Sequence, residues 1–487
     1  MRPMSFFTCC FGFFLIMGTV SAQTYWNRSY GNGYNDRGTA VVVTPDGSIV
    51  AVGQSTQEET RIQWLKTDSL GDFVARKFFG GPGITWANHA ALFPADSGVV
   101  VCGSRFVNEI QQYDQYVARL NSAGDTLWTQ SFGDIDWDVA QWIGVDSSDT
   151  IHVVGQGFSA TTGLGQVIWT VFSPNGQMLT QKTLSHPGSN LRPVHAIPLP
   201  EGGWLIGGEL QPGPAGGQDL WAAKLDAQLD TLWTRSYGSA GDDRMGNVSL
   251  YRNAVNAITY TLGGDFSLPG QDQGFIFMQR IATNGDSILR VDAAQGGGLL
   301  FSRKNCKHLY KSTDGVYTIM CQVNSPDESQ FWNVEFSQTS FLFWQSAQVL
   351  FVGSQYKAEG FSAWPSGGFI VTGETDVYGP GVRALFLSKV GPLGEASTSV
   401  VVGQEDWNAT HALPFPNPTQ SVVYLHADAQ DAWQTFDVSG RMVQPVYEKV
   451  GEGWQIDFTG LPMGWYRVCG RKDSGETFTF GVLYQGD

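Results

Sequence analysis

The sequence predicts an all-β protein: a seven-bladed β-propeller closed by an N-terminal strand, followed by a small C-terminal β-sandwich. Three observations predict it. A short β-run ending in Gly or Cys recurs seven times, from "DGSIVAVG" (Asp46–Gly53) through "DSGVVVCG" (Asp96–Gly103) to "SGGFIVTG" (Ser366–Gly373), at spacings of about 50 to 58 residues. A turn phrase follows most of these runs, as in "WLKTDSLGD", "VARLNSAGD" and "AAKLDAQLD". A third phrase, "GDTLWTQSFG" (Gly124–Gly133), returns as "LDTLWTRSYG" (Leu229–Gly238), and its tail end opens the mature chain as "TYWNRSYG" (Thr24–Gly31).

Each element follows in order. Residues 1–22 read as a signal peptide: Arg2 supplies a charge, "FFTCCFGFFLIMG" an apolar run, and "VSA" the small residues of a cleavage site before Gln23. No later stretch reaches the roughly 18 to 20 apolar residues of a membrane helix, so no transmembrane segment is expected. Residues 23–397 form the propeller. In the first repeat the strands fall at about Thr39–Thr44, Ser48–Gln54, Arg61–Thr67 and Phe73–Phe79, rich in Val, Ile, Trp and Phe and bounded by Gly/Asp turns. The sixth repeat, near "FWNVEFSQTS", is degenerate, and the seventh has no fourth strand of its own. "TYWNRSYG" therefore completes the seventh blade and closes the ring. Residues 398–413 read as a linker and 414–487 as the sandwich, from their short alternating strands.

Composition agrees. The 487 residues include 60 Gly, which supply positive φ at turns, and only 15% charged residues. A net charge of −16 disfavours nucleic acid as a partner. Beyond the leader four cysteines remain, Cys102, Cys306, Cys321 and Cys469. Cys306 and Cys321 flank the turn "STDG" and come opposite each other if the segment is a hairpin. A disulfide there closes a loop of about 15 residues, which stabilises by about 3 kcal/mol in the chain-entropy model.

The tail carries "PFPNPT" with Pro416, Asn417 and Pro418, "FDVSGRMV" with Asp437, Gly440 and Arg441, and "IDFTGLPMGWYRV" with Gly464 and Tyr466. In this combination it resembles the type A C-terminal sorting domain of the Bacteroidetes type IX secretion system. The repeats resemble those of secreted bacterial propellers, with "KLDAQLDTLWTRSYG" the nearest match in this chain. The resemblance implies export, engagement of the type IX secretion machinery, and a mature protein that is secreted or attached to the outer-membrane surface.

Catalytic motifs are sparse. No nucleophile elbow, His-Glu-x-x-His, phosphate loop or Cys-x-x-Cys is present. Asp36, Asp138 and Asp243 stand six residues after Tyr30, Phe132 and Tyr237, and read as turn caps at the entry to each inner strand. "DIDWD" (Asp134–Asp138) lacks the Gly and Glu of a calcium loop; Ca²⁺ is the one cofactor left open, and no other cofactor or metal is expected. Aligning the repeats puts Ala40, His89, Trp142, His195, Asn247, His308 and Gly360 at one inner-strand position. The candidate ligand-binding residues are His89, His195 and His308 from this column with Trp86, Trp142 and Trp364, aromatics that lie in or near loops. The alternative for the column is side chains that point between blades and bond a neighbouring backbone. The leading functional expectation is a non-enzymatic propeller that binds a protein or a carbohydrate. The alternatives are a glycan-active hydrolase or lyase, or a quinone-dependent dehydrogenase suggested by "LDAQLDTLW".

Overall fold

The computed structural model describes residues 25–31, 34–56, 59–81, 83–107, 112–134, 137–252, 256–270, 274–292, 304–311, 317–324, 329–336, 342–345, 356–375, 383–391, 400–402, 421–425, 433–437, 441–450, 453–471 and 477–486. Within 304–345 the description is of the backbone alone. Every element among the described residues is a strand, and none of them forms a helix long and apolar enough to cross a membrane.

The first strand is β1 (Trp26–Tyr30). Then come β2 (Asn35–Val43), β3 (Ile49–Thr56), β4 (Thr60–Thr67) and β5 (Phe73–Phe79) as one sheet, and β6 (Thr85–Phe93), β7 (Gly98–Val107), β8 (Gln112–Leu120) and β9 (Thr126–Phe132) as the second. The third holds β10 (Val139–Val145), β11 (Ile151–Phe158), β12 (Gly165–Phe172) and β13 (Met178–Leu184); the fourth β14 (Asn190–Pro198), β15 (Trp204–Gln211), β16 (Asp219–Leu225) and β17 (Thr231–Tyr237). The fifth holds β18 (Asp243–Arg252), β19 (Ile258–Ser267), β20 (Gly274–Ile281) and β21 (Ser287–Asp292); the sixth β22 (Lys304–Lys311), β23 (Tyr317–Asn324), β24 (Ser329–Phe336) and β25 (Leu342–Gln345). The repeat expected to be degenerate thus still forms four paired strands. A further sheet joins β26 (Tyr356–Ala363), β27 (Phe369–Thr375) and β28 (Ala384–Val390) to β1 and then to β29 (Val400–Val402). Among the described strands all ladders are antiparallel but one: β29 runs parallel along the outer edge of β1, inside the stretch read as linker, and an isolated parallel bridge joins Asn35 to Arg383. An apolar Val run there covers an edge that β1 would otherwise leave open.

The innermost strands lie side by side in a closed cycle, β2 to β6, β10, β14, β18, β22, β26 and back to β2. Repeated four-stranded sheets arranged in this way make a β-propeller. The core lies between sheets, and strand periodicity explains why both faces are apolar. In β3, Val50 and Val52 face the second sheet, while Ile49 and Ala51 face β1 and β28. In β7, Val99 and Val101 face the first sheet, while Val100 and Cys102 face the third. A strand covered on both sides loses its polar alternation. That is the origin of runs such as "GVVVCG".

The repeated phrase is an inter-sheet clasp. Trp128 on β9 donates its Nε1–H to the Pro174 carbonyl at 2.9 Å, and Trp233 on β17 to Thr283 at 2.9 Å, each in the third-to-fourth-strand turn of the next sheet. The Tyr237 hydroxyl donates to the Gly285 carbonyl at 2.6 Å. Gly176 has φ of +82° and lies so close over Trp128 that a Cβ would stand 2.7 Å from the ring. β1 repeats the clasp at the seam. Tyr30, fully buried, donates to Gly71 at 2.5 Å, Trp26 reaches Ser69 at 3.4 Å, and Arg28 bridges Asp72 at 2.8 Å. Its backbone pairs with β28 from Trp26↔Lys389 to Tyr30↔Leu385. β1 therefore belongs to one sheet by hydrogen bonding and to the next by its side chains.

At the C-terminal end β30 (Val422–Leu425), β34 (Gly453–Asp457) and β33 (Val446–Val450) form one small sheet. β32 (Met442–Val443), β31 (Gln434–Asp437), β35 (Gly464–Arg471) and β36 (Thr477–Tyr484) form another. One core serves both: Val423, Ile456 and Phe458 pack with Tyr466, Val468 and Val482.

Candidate functional site on the ring axis

Every pairing of an innermost strand with its neighbour carries a β-bulge at the same place. The register shifts between Gly38 and Ala40, Ala87 and His89, Ala140 and Trp142, Pro193 and His195, Met245 and Asn247, Cys306 and His308, and Ala358 and Gly360. A bulge inserts one unpaired residue and re-aims its side chain. The inserted residues include Thr39, Asn88, Gln141, Val194 and Glu359, and all five line a cavity of about 1080 Å³ on the ring axis. The column picked out by sequence alignment is the residue just after the bulge.

Three residues before that column stands another: Arg37, Trp86, Val139, Arg192, Arg244, Asn305 and Lys357. Four are cations, and Arg37, Trp86, Arg192, Arg244 and Lys357 all line the cavity. Buried carboxylates hold the cations. Glu359 contacts Arg37 at 2.6 Å and Lys357 at 2.5 Å, and Glu209 pairs with Arg192 at 2.9 Å. The side chains of Glu359 and Glu209 are 7% and 6% exposed, against 32% for Arg37, 41% for Lys357 and 53% for Arg192. A molecule entering the cavity meets the positive partners.

The residues expected from sequence are distributed as follows. Trp86, His89 and His195 line the cavity. Trp142 does not: it is 5% exposed and packs in the core between the third and fourth sheets. It does bring the two histidines together, with its ring centroid 6.1 Å from His89 and 6.0 Å from His195. Trp86 was expected in or near a loop and stands in β6, because the bulged inner strands begin earlier than the apolar run suggests, whereas Trp142 stands in β10 at the inner-strand position that the alignment gave it. Trp364 lies beside the cavity-lining Pro365, with the Lys389 ammonium 3.7 Å over its ring. The side chain of His308 lies outside the described residues.

His89 Nδ1 meets the Ile143 carbonyl of the next sheet at 3.1 Å and the Ile143 amide at 3.4 Å, and burial pushes its imidazole down to about 4. That is the between-blade arrangement weighed for this column. His152, on β11, accepts the Trp169 indole N–H at Nδ1 and faces Asp146 through Nε2 at 3.1 Å; burial lowers its pKa against the opposing pull of Asp146. Among the described residues no three His, Cys, Asp or Glu side chains are grouped to hold a metal ion.

Two of the three repeated aspartates cap turns. Asp138 accepts the Asp134 amide at 2.8 Å and Asp243 the Ser239 amide at 2.7 Å. Asp243 also meets Arg290 at 3.0 Å, and Asp36 lies 3.7 Å from Arg76. Burial lowers the Arg76 pKa to about 10, opposed by Asp36. Residues 135 and 136 of "DIDWD" lie outside the described residues. Cys306 and Cys321 are direct Cα partners in the β22–β23 register, and their side chains lie outside the description. Cys102 is a buried free thiol, and Cys469 is partly buried.

In the tail Asp437 accepts the Arg441 amide at 3.0 Å and donates its own amide to the Arg441 carbonyl at 2.9 Å, which closes a tight turn. Gly464 opens β35 with φ of +154°, and the Tyr466 hydroxyl donates to the Pro462 carbonyl. Pro416, Asn417, Pro418 and Gly440 lie outside the described residues.

The four cavity cations went unnoticed in the sequence because they sit apart from the apolar runs that mark each repeat. Counting three residues back from the aligned column would have found them. No family model and no curated protein matches the chain. Solved structures of similar course include the polysaccharide lyase Uly1, at 10% identity over 77% of this chain and 94% of that one, TM-score 0.46. Another is the β-propeller domain of the trilobed protease from Pyrococcus furiosus, at 9% identity over 77% and 97%, TM-score 0.38. A third is Drosophila semaphorin 1a, extracellular domains 1–2, at 9% identity over 75% and 87%, TM-score 0.43.

Proposed function

We propose that the chain is an exported, seven-bladed propeller that binds a carbohydrate or protein partner in the cavity on its axis, without turnover. The observation that carries this reading is the cavity itself. Its volume of about 1080 Å³ stands at the upper end of small-molecule sites, roughly 300 to 1,000 Å³, and bulged inner strands supply its polar lining. Two of the three carboxylates that line the cavity, Glu209 and Glu359, are committed to cations, which supports binding over hydrolysis, since a catalytic pair needs one carboxyl free to donate a proton. The test is a glycan array probed with the full chain and with Trp86→Ala, run beside an assay for released reducing ends. Selective binding lost in the variant supports the reading. Release of sugar ends would move the protein to the hydrolase or lyase alternative, and a blank array with folded protein would move the search to protein partners.

The C-terminal unit, residues 414–487, we read as a β-sandwich sorting domain that engages the type IX secretion machinery, with residues 1–22 as the signal peptide. Two sheets sharing one core and the Asp437–Arg441 turn support the reading. The mature protein is then released or held at the outer-membrane surface. Fusing residues 414–487 to a signal-peptide-bearing reporter in a type IX-competent host tests it; a reporter retained in the periplasm refutes it. A Cys306–Cys321 disulfide belongs to the same exported state, and mass spectrometry with and without reductant checks it.

A further inference from the structure

We propose that the cation ring at the cavity mouth recognises the carboxylate of a uronic-acid sugar, which rests on the reading of the axial cavity as a ligand site. The chain has 29 Lys and Arg and a net charge of −16, yet four cations occupy one ring position. Around them stand three lining carboxylates, Glu209, Glu359 and Asp265, so the mouth holds an excess of one positive charge. The carboxylates are the buried members and the cations the accessible ones. Glu359 is shared between Arg37 and Lys357, so one anion balances two cations there. Arg244 makes no ion pair among the described residues, and the Arg37 Nε is a buried donor without an acceptor among them. A carboxylate fits guanidinium groups with two parallel hydrogen bonds.

The rest of the mouth favours a sugar over an acidic peptide. Trp86 shares the ring position with the cations, and its ring lies tilted at 33° to Tyr113 with centroids 4.5 Å apart. Tyr113 in turn meets Trp137, 52% exposed, at 4.8 Å, so an aromatic cluster runs from Trp86 outward beyond the cavity lining. Amphipathic rings of this kind offer an apolar face to the C–H face of a pyranose. Gln54 and Gln141 line the cavity with amides that both donate and accept, as sugar hydroxyls require, while the Asn88 amide beside them donates to the Ala140 carbonyl at 2.8 Å. The acidic exterior repels a long polyanion, so the ligand is a short oligosaccharide or a chain end.

The experiment is calorimetric titration of the full chain with trigalacturonate and with a neutral trisaccharide. Trigalacturonate is expected to bind more tightly, with affinity falling as salt rises. Arg244→Gln is expected to weaken it about ten-fold, as loss of a charge-assisted bond does, with the melting temperature held because Arg244 carries no bridge. Equal binding of the neutral sugar, lost in Trp86→Ala, overturns the anion assignment and leaves the ligand-site reading standing. Failure of both sugars to bind overturns the proposal. Displacement of trigalacturonate by a more tightly held glutamate-rich peptide replaces the sugar with a peptide.

Discussion

Trp26→Ala tests how the ring is closed. Trp26 lies near the start of the described chain, where a strand commonly frays at little cost. Here it is 5% exposed, packs with Tyr30, Leu385 and Leu387 of its own sheet and with Ile49 and Leu65 of the first, and donates to Ser69. Truncating a buried aromatic costs about 3 to 5 kcal/mol. Unfolding entropy near 2.1 cal/mol/K per residue over roughly 370 residues gives about 0.8 kcal/mol/K, so a 4 kcal/mol loss lowers Tm by about 5 °C. Thermal melts followed by circular dichroism and by urea titration measure it. Trp128→Ala, which breaks the equivalent clasp inside the ring, serves as the positive control, and Leu127→Ala at an exposed neighbour as the negative one. If Trp26→Ala melts with the wild type while Trp128→Ala falls, β1 does not hold the seam and the account of closure is wrong.

Three more predictions follow from single contacts. The His89 imidazole is held neutral, with a folded value near 4 against 6.5 unfolded, so the unfolded chain binds the extra proton between those values. Stability is then fully present above about pH 6.5 and falls by at most about 3 kcal/mol as pH drops toward 4. His89→Gln should flatten the urea-midpoint profile in that window; an unchanged slope assigns it elsewhere. Asp36→Asn removes the carboxylate beside the buried Arg76 guanidinium, and a loss of about 3 kcal/mol is expected in urea denaturation, whereas breaking an exposed pair such as Lys77–Asp125 should leave the urea midpoint nearly unchanged. Gly176→Ala forces a side chain into a positive φ and against Trp128, and should destabilise by more than about 1 kcal/mol; a neutral result would mean that the turn and the ring can part.

Much of the propeller was legible because its physics repeats. The β3 and β7 runs are buried on both faces, so they read as short apolar stretches ending in Gly, where Cβ atoms at Gly53 and Gly103 would strike the Arg37 and Trp86 carbonyls. The seam was legible because "TYWNRSYG" carries the Trp and Tyr of the clasp without a preceding sheet. Strand starts were not. Inner strands begin before the bulge, in polar residues such as Asn35 and Asp36, where no apolar signal marks them. The histidine column was visible as a pattern, but its meaning was not. Only the fold shows His89 bonding across to Ile143 and Trp142 turned into the core, since direction after a bulge is not written in spacing. The cation ring escaped for a related reason: Arg37, Arg192, Arg244 and Lys357 are ordinary polar residues in sequence and become a site only when closure sets them round one axis.

Hydrogen exchange of the full chain with and without trigalacturonate tests most directly whether the ligand site lies on that axis. The account predicts added protection in the first halves of β2, β14, β18 and β26, around Arg37, Arg192, Arg244 and Lys357, with the outer strands β9 and β17 unchanged. Protection confined to the outer strands or to the C-terminal sheets would contradict it.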